Sequence, residues 1–140
     1  MLESEPDLRA FILQFEEGTW PSTQWTHATH IAMGSYYLLT CSRDEATARI
    51  KHGLYHYHLS QGGQHTDTSG YHETLTLFWI DSIEEYLRSL PASWNVLEKV
   101  TAATQYLGEQ RVLHRQHYSW DLTTDPIARR EWRTPDRTPN

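Results

Sequence analysis

Apolar side chains recur at intervals of three and four along most of this chain, and that period leaves helices as the natural fold. Leu8, Phe11, Ile12 and Phe15 predict an amphipathic first helix stopped by Gly18, followed by a loop at Trp20-Pro21-Ser22. Thr26 is a good N-cap for a second helix reaching about Leu39, with His27, His30, Ile31, Gly34 and Leu38 on one face. Ser42 and Glu45 fit a capping box opening a third helix to about Leu59, with Ala46, Ile50, Leu54 and Tyr57 inward. Gly53 weakens that helix locally.

Gln61 to Gly70 is a polar loop with three glycines that covers something or moves. Tyr71 to Leu90 contains a Thr-Leu-Thr-Leu alternation, but Ser82 to Leu90 continues at helical period and no hairpin partner is evident, so a helix is expected. Thr74 to Ile80 carries no charge, which puts this helix at the centre of the fold. It aligns His72 with Thr76, Trp79, Ile83 and Leu87, and Glu73 with Leu77 and Ile80. Pro91 ends it. Ser93 is expected to cap a helix through Val96, Leu97, Val100, Ala103 and Leu107, ending at Gly108. A short helix over about Glu109 to Tyr118 and a last turn or two from Thr124-Asp125-Pro126 complete an all-α, single-domain bundle of five to six helices over residues 1–133. Residues 134–140 read as a disordered tail.

Composition narrows the function. The net charge of −6 opposes nucleic-acid binding, which needs a basic surface. Arg129, Arg130, Arg133 and Arg137 gather four of the twelve basic residues near the end and read as a solvated tail. The single cysteine, Cys41, excludes an intramolecular disulfide and a thiolate zinc site. No apolar run is long enough to span a bilayer, and the acidic start does not look like a secretory leader, so a cytoplasmic protein is expected. Six Trp and eight Tyr against three Phe supply apolar bodies with polar handles, suited to lining a pocket or to filling a small core.

The chemistry concentrates in the nine histidines. Trp25-Thr26-His27-Ala28-Thr29-His30 sets two imidazoles on the core-facing stripe of one helix, and Gly70-Tyr71-His72-Glu73-Thr74 adds a third imidazole and a carboxylate on another. Buried histidines need partners. Three neutral imidazoles suit zinc, copper or iron, and two with a carboxylate suit ferrous iron; manganese is also admitted. His27, His30 and His72 are the expected metal ligands. Neighbours on a helix point about a hundred degrees apart, so His72 and Glu73 are unequal, with His72 a ligand or catalytic group and Glu73 a base or orienter. Trp25, Tyr71 and Trp79 would wall an aromatic substrate pocket.

Competing pairs are His52 with His56, at i and i+4, and His114 with His117, which reads as surface. His65 reads as a bystander in the polar loop. Walker and dinucleotide glycine loops, a Gly-x-Ser-x-Gly elbow and His-Glu-x-x-His are all absent.

The chain resembles a bacterial family of small helical proteins of unassigned function. The likeness rests on Phe15-Glu16, the Trp-x-His-x-x-His motif of Trp25 to His30, Gly70-Tyr71-His72-Glu73-Thr74-Leu75-Thr76, Tyr118-Ser119, Ala128-Arg129 and Pro135-Asp136. It implies a shared site built on His27, His30, His72 and Glu73, with no activity attached. The expected function is a small divalent-metal-dependent enzyme acting on a small organic substrate of metabolic or natural-product type. The alternatives are a metal-free cyclase, isomerase or lyase working through His72 and Glu73, and a non-enzymatic module binding a small ligand or a protein. A homodimer is admitted.

Overall fold

The computed structural model describes residues 2–138, and every regular element among them is helical. α1 spans Glu5–Glu17, α2 His27–Thr40, α3 Arg43–Ser60, α4 Glu73–Arg88, α5 Val96–Gly108 and α6 Pro126–Arg130. Short 3-10 turns lie at Ser22–Gln24, Leu113–Gln116 and Leu122–Thr124. The all-α bundle expected from the spacing is present, and no helix among the described residues is long and apolar enough to cross a membrane.

Side-chain caps start the helices. Ser4 accepts from the Asp7 amide at α1, and Gly18 closes that helix in the left-handed conformation at φ 75°. Thr26 and Thr29 form a reciprocal capping box at α2. Ser42 accepts from the Glu45 amide, but the Glu45 carboxylate turns away to Arg49, so only half of the expected box forms. The α5 cap is Asn95, two residues later than expected, with Glu98 closing the box on the Asn95 amide. Asp125 caps α6 ahead of Pro126. The expected helix over about residues 109–118 shrinks to the turn at Leu113–Gln116.

The centre is held by α2 rather than α4. α2 packs along α3, α4 and α5 and carries no Asp, Glu, Lys or Arg. Its small residues admit close neighbours: Gly34 faces the Ile83 side chain, and Gly108 of α5 comes up against Ala28. Asp81 and Glu84 of α4 pair with Arg43 of α3. One core cluster joins Leu8, Phe11, Ile12 and Phe15 of α1 to Ala32, Met33, Ile50 and Tyr57. Gly53, a weak point by helix propensity, has a packing role. A Cβ there would come within 2.5 Å of the Phe15 ring, which is itself stacked on Trp25 at 5.1 Å.

The final segment departs from the expected frayed, solvated tail. As far as Thr138 it is described, and it folds back over the turn at Leu113–Gln116. The amides of Asp136 and Arg137 donate to the His117 carbonyl, and the Asp136 carboxylate accepts from the amide and hydroxyl of Ser119. Arg130 pairs with Asp67, and Arg133 lies near Asp125 and over the Trp120 ring. The last two residues of the expected tail lie outside the described residues.

Candidate functional site

A cavity of about 610 Å³ lies between α2, α3, α4 and the loop that joins α3 to α4. Its wall brings together six of the seven residues singled out from the sequence: Trp25, His27, His30, Tyr71, His72 and Trp79. Among the described residues, no Asp, Glu, Lys or Arg lines it. The loop forms part of the wall through Gln61, Gly63 and Gly70.

The two α2 histidines share one arrangement. His27 Nε2 lies 3.1 Å from the Leu107 carbonyl at the C-terminal end of α5, and its ring meets the Trp79 edge at 4.6 Å between centroids. His30 Nδ1 lies 2.6 Å from the Thr26 carbonyl, and its ring sits against Trp25 at 3.9 Å. A carbonyl only accepts, so the nitrogen facing it carries the proton. The neutral forms are therefore Nε2–H for His27 and Nδ1–H for His30. The other nitrogen of each ring keeps a lone pair with no hydrogen-bond partner among the described residues.

Burial keeps both rings neutral. His30 retains some solvent contact through the cavity, yet protein surrounds its ring. Burial pulls its pKa to about 4 against the opposing hydrogen bond to Thr26. Burial also lowers His27, against its bond to Leu107, with Arg111 adding to the downward shift.

His72 has a different role. It precedes α4 as its N-cap instead of sitting on the helix face with Thr76 and Trp79. Its Nδ1 accepts from the Leu75 amide at 3.1 Å, and Nε2 donates to the Leu122 carbonyl at 2.8 Å. Both ring nitrogens are committed, the residue is buried, and burial lowers its pKa. Glu73 turns away from the cavity. Lys51 of α3 binds one of its oxygens at 2.8 Å, and the Tyr71 hydroxyl donates to the other at 2.6 Å. Burial raises the Glu73 carboxyl, but these two partners outweigh it and the net shift is down. Among the described residues, no three or more His, Cys, Asp and Glu side chains come together in a group able to hold an ion.

Several placements were not anticipated. Tyr57 forms part of the wall, 4.8 Å from Trp25, with its hydroxyl donating to the Trp20 carbonyl. Its inward position was legible; its nearness to Trp25, on a different element, was not. His65 anchors the loop: its ring stacks on Tyr55 at 3.7 Å, Nε2 donates to the Tyr55 carbonyl and Nδ1 accepts from the Tyr71 amide. His114, expected at the surface, is buried beside Phe78, and its Nδ1 has no hydrogen-bond partner among the described residues. His52 and His56 remain exposed on α3, 4.2 Å apart between ring centroids.

No family model, curated protein or solved structure matches this chain. The functional reading therefore rests on the geometry of the cavity.

Proposed function

We propose that this chain acts on a small organic molecule held in the cavity between α2, α3 and α4, with His27 and His30 meeting its polar atoms. One observation carries the reading. Two imidazoles that line a largely apolar cavity from the same helix are oriented by backbone carbonyls, which leaves the other nitrogen of each ring with a bare lone pair. A pocket with a few fixed polar groups in apolar walls is the usual form of a small-molecule site, and this volume falls in the range of such sites. A group titrating at about 4 is a poor base near neutral pH, so His30 serves as a hydrogen-bond acceptor. His27 is the candidate base: its Nδ1 takes a proton from the bound molecule and returns it to another atom, as in a cyclase, isomerase or lyase.

The same carbonyl-backed imidazoles favour a second reading, because metal-binding histidines commonly donate their other N–H to a carbonyl. A divalent ion at His27 Nδ1 and His30 Nε2 would keep two of the three expected ligands and draw the rest from water or substrate. His72 has no nitrogen left to give.

The test is a ligand-observed NMR screen of uncharged aromatic fragments, repeated on Thr76→Trp, which narrows the cavity. Fragments that compete with one another and bind at least about tenfold more weakly to the folded variant support the reading. Fragments indifferent to the substitution, or no binding at millimolar concentration, contradict it. Zinc and ferrous titrations in parallel decide the second reading. It requires binding that falls in His27→Ala and His30→Ala and is unchanged in His72→Asn.

A further inference from the structure

We infer that the ligand of this cavity is an uncharged aromatic molecule that donates hydroxyl hydrogens to His27 and His30. The inference rests on the reading of the cavity as a small-molecule site and names the chemistry that site selects.

Each imidazole has already spent its only proton on a backbone carbonyl: Leu107 for His27 and Thr26 for His30. What remains at His27 Nδ1 and His30 Nε2 is an acceptor with no donor in reach among the described residues. A ligand bringing an ether or ketone oxygen to either nitrogen would set lone pair against lone pair. A ligand bringing O–H would satisfy it.

Charge is excluded on separate grounds. Among the described residues, no Lys or Arg lines the cavity to neutralise a carboxylate or phosphate, and no Asp or Glu to neutralise an amine. An ion moved from water into such walls would lack a counter-charge.

The other polar groups of the wall are mostly committed. Tyr57 donates to the Trp20 carbonyl and Tyr71 to Glu73, while His58 spends its Nε2 proton on the Gln64 carbonyl and leaves Nδ1 as a third acceptor in the wall. The indole N–H groups of Trp25 and Trp79 have no acceptor among the described residues, so a hydroxyl oxygen can find a donor in its turn. Trp25, Tyr57 and Trp79 line the wall, and offset or edge contacts with their rings favour an aromatic guest over an aliphatic one. The volume leaves room for more than one ring.

The experiment is titration calorimetry on the full chain at about pH 7.5 with three probes of matched skeleton: 2-naphthol, 2-methoxynaphthalene and 2-naphthoate. The expected result is 2-naphthol binding about tenfold more tightly than its methyl ether, the worth of one hydrogen bond to an uncharged acceptor, with 2-naphthoate weakest. The His27→Phe/His30→Leu double variant should shrink the naphthol-to-ether ratio below about threefold while the ether still binds, and the single variant at the imidazole that takes the one hydroxyl hydrogen should account for most of that loss. Because the wild-type ratio is itself decisive, a variant that fails to fold does not protect the inference.

Equal binding of naphthol and ether, or tightest binding of naphthoate, overturns it. If none of the three binds while Thr76→Trp still abolishes binding of other fragments, the ligand class is wrong and the cavity reading stands. If no fragment responds to Thr76→Trp, the cavity reading itself has failed.

Discussion

Replacing His72 with alanine is expected to cost about 3 kcal/mol of folding stability, without touching the polar groups offered to a ligand. Two bonds are lost at once. Removal of an N-cap acceptor costs about 1 kcal/mol, because the Leu75 amide at the start of α4 loses its partner. Removal of the Nε2–H donor weakens the tie between α4 and the Leu122–Thr124 turn, where a partly desolvated carbonyl loses a hydrogen bond at a further cost of about 1–3 kcal/mol. In a chain of this length the melting temperature should fall by roughly 10 °C. His72→Asn keeps a side-chain acceptor for the cap and should recover about 1 kcal/mol of the loss. Urea denaturation of the three proteins measures this. A loss below about 1 kcal/mol for alanine would mean that His72 is not the structural joint described above.

Acid should unfold this protein well before its carboxylates protonate. His27, His30, His72 and His114 all have pKa values lowered from 6.5, and burial is the leading cause in each. The unfolded chain takes up these protons near pH 6.5, whereas the folded chain resists them. The stability that follows is fully present above the unfolded value and is lost as pH falls through 6.5 towards the folded values, which for His30 is about 4. His30 alone then accounts for on the order of 3 kcal/mol by the lower end of that window. Glu73 acts in a separate range. Its carboxyl lies below the usual value of 4.5, so its contribution holds above 4.5 and fails only below it. The urea midpoint should fall steeply between about pH 7 and pH 5, and His30→Gln should flatten part of that slope. A midpoint unchanged across the interval would contradict the neutral burial of these rings.

The helices were legible because apolar spacing and capping residues are local properties. Thr26 marked the start of α2, and with it the inward stripe that carries His27 and His30. His72 was harder to place because histidine is a less usual cap than Ser, Thr, Asp or Asn. Moving the helix start by two residues turns a presumed ligand on a helix face into a cap facing the chain's C-terminal part. Glu73 depends on Lys51, a partner from another helix that no local pattern announces.

The motif residues behind the family resemblance also divide in two. Arg129 donates to the Gly70 carbonyl, His72 to Leu122, Thr74 to the Glu131 carbonyl, and Ser119 to Asp136. Those motif positions hold the C-terminal segment against α4 and the loop. Trp25, His27 and His30 of the first motif line the cavity, where the proposed ligand contacts lie.

The most direct measurement is a long-range proton–nitrogen correlation spectrum of the imidazoles in the full chain near neutral pH. It should show His27 neutral with its proton on Nε2 and His30 neutral with its proton on Nδ1, each leaving the other nitrogen bare. An imidazolium at either position, or the opposite tautomer at either, would contradict the acceptor site on which the account depends.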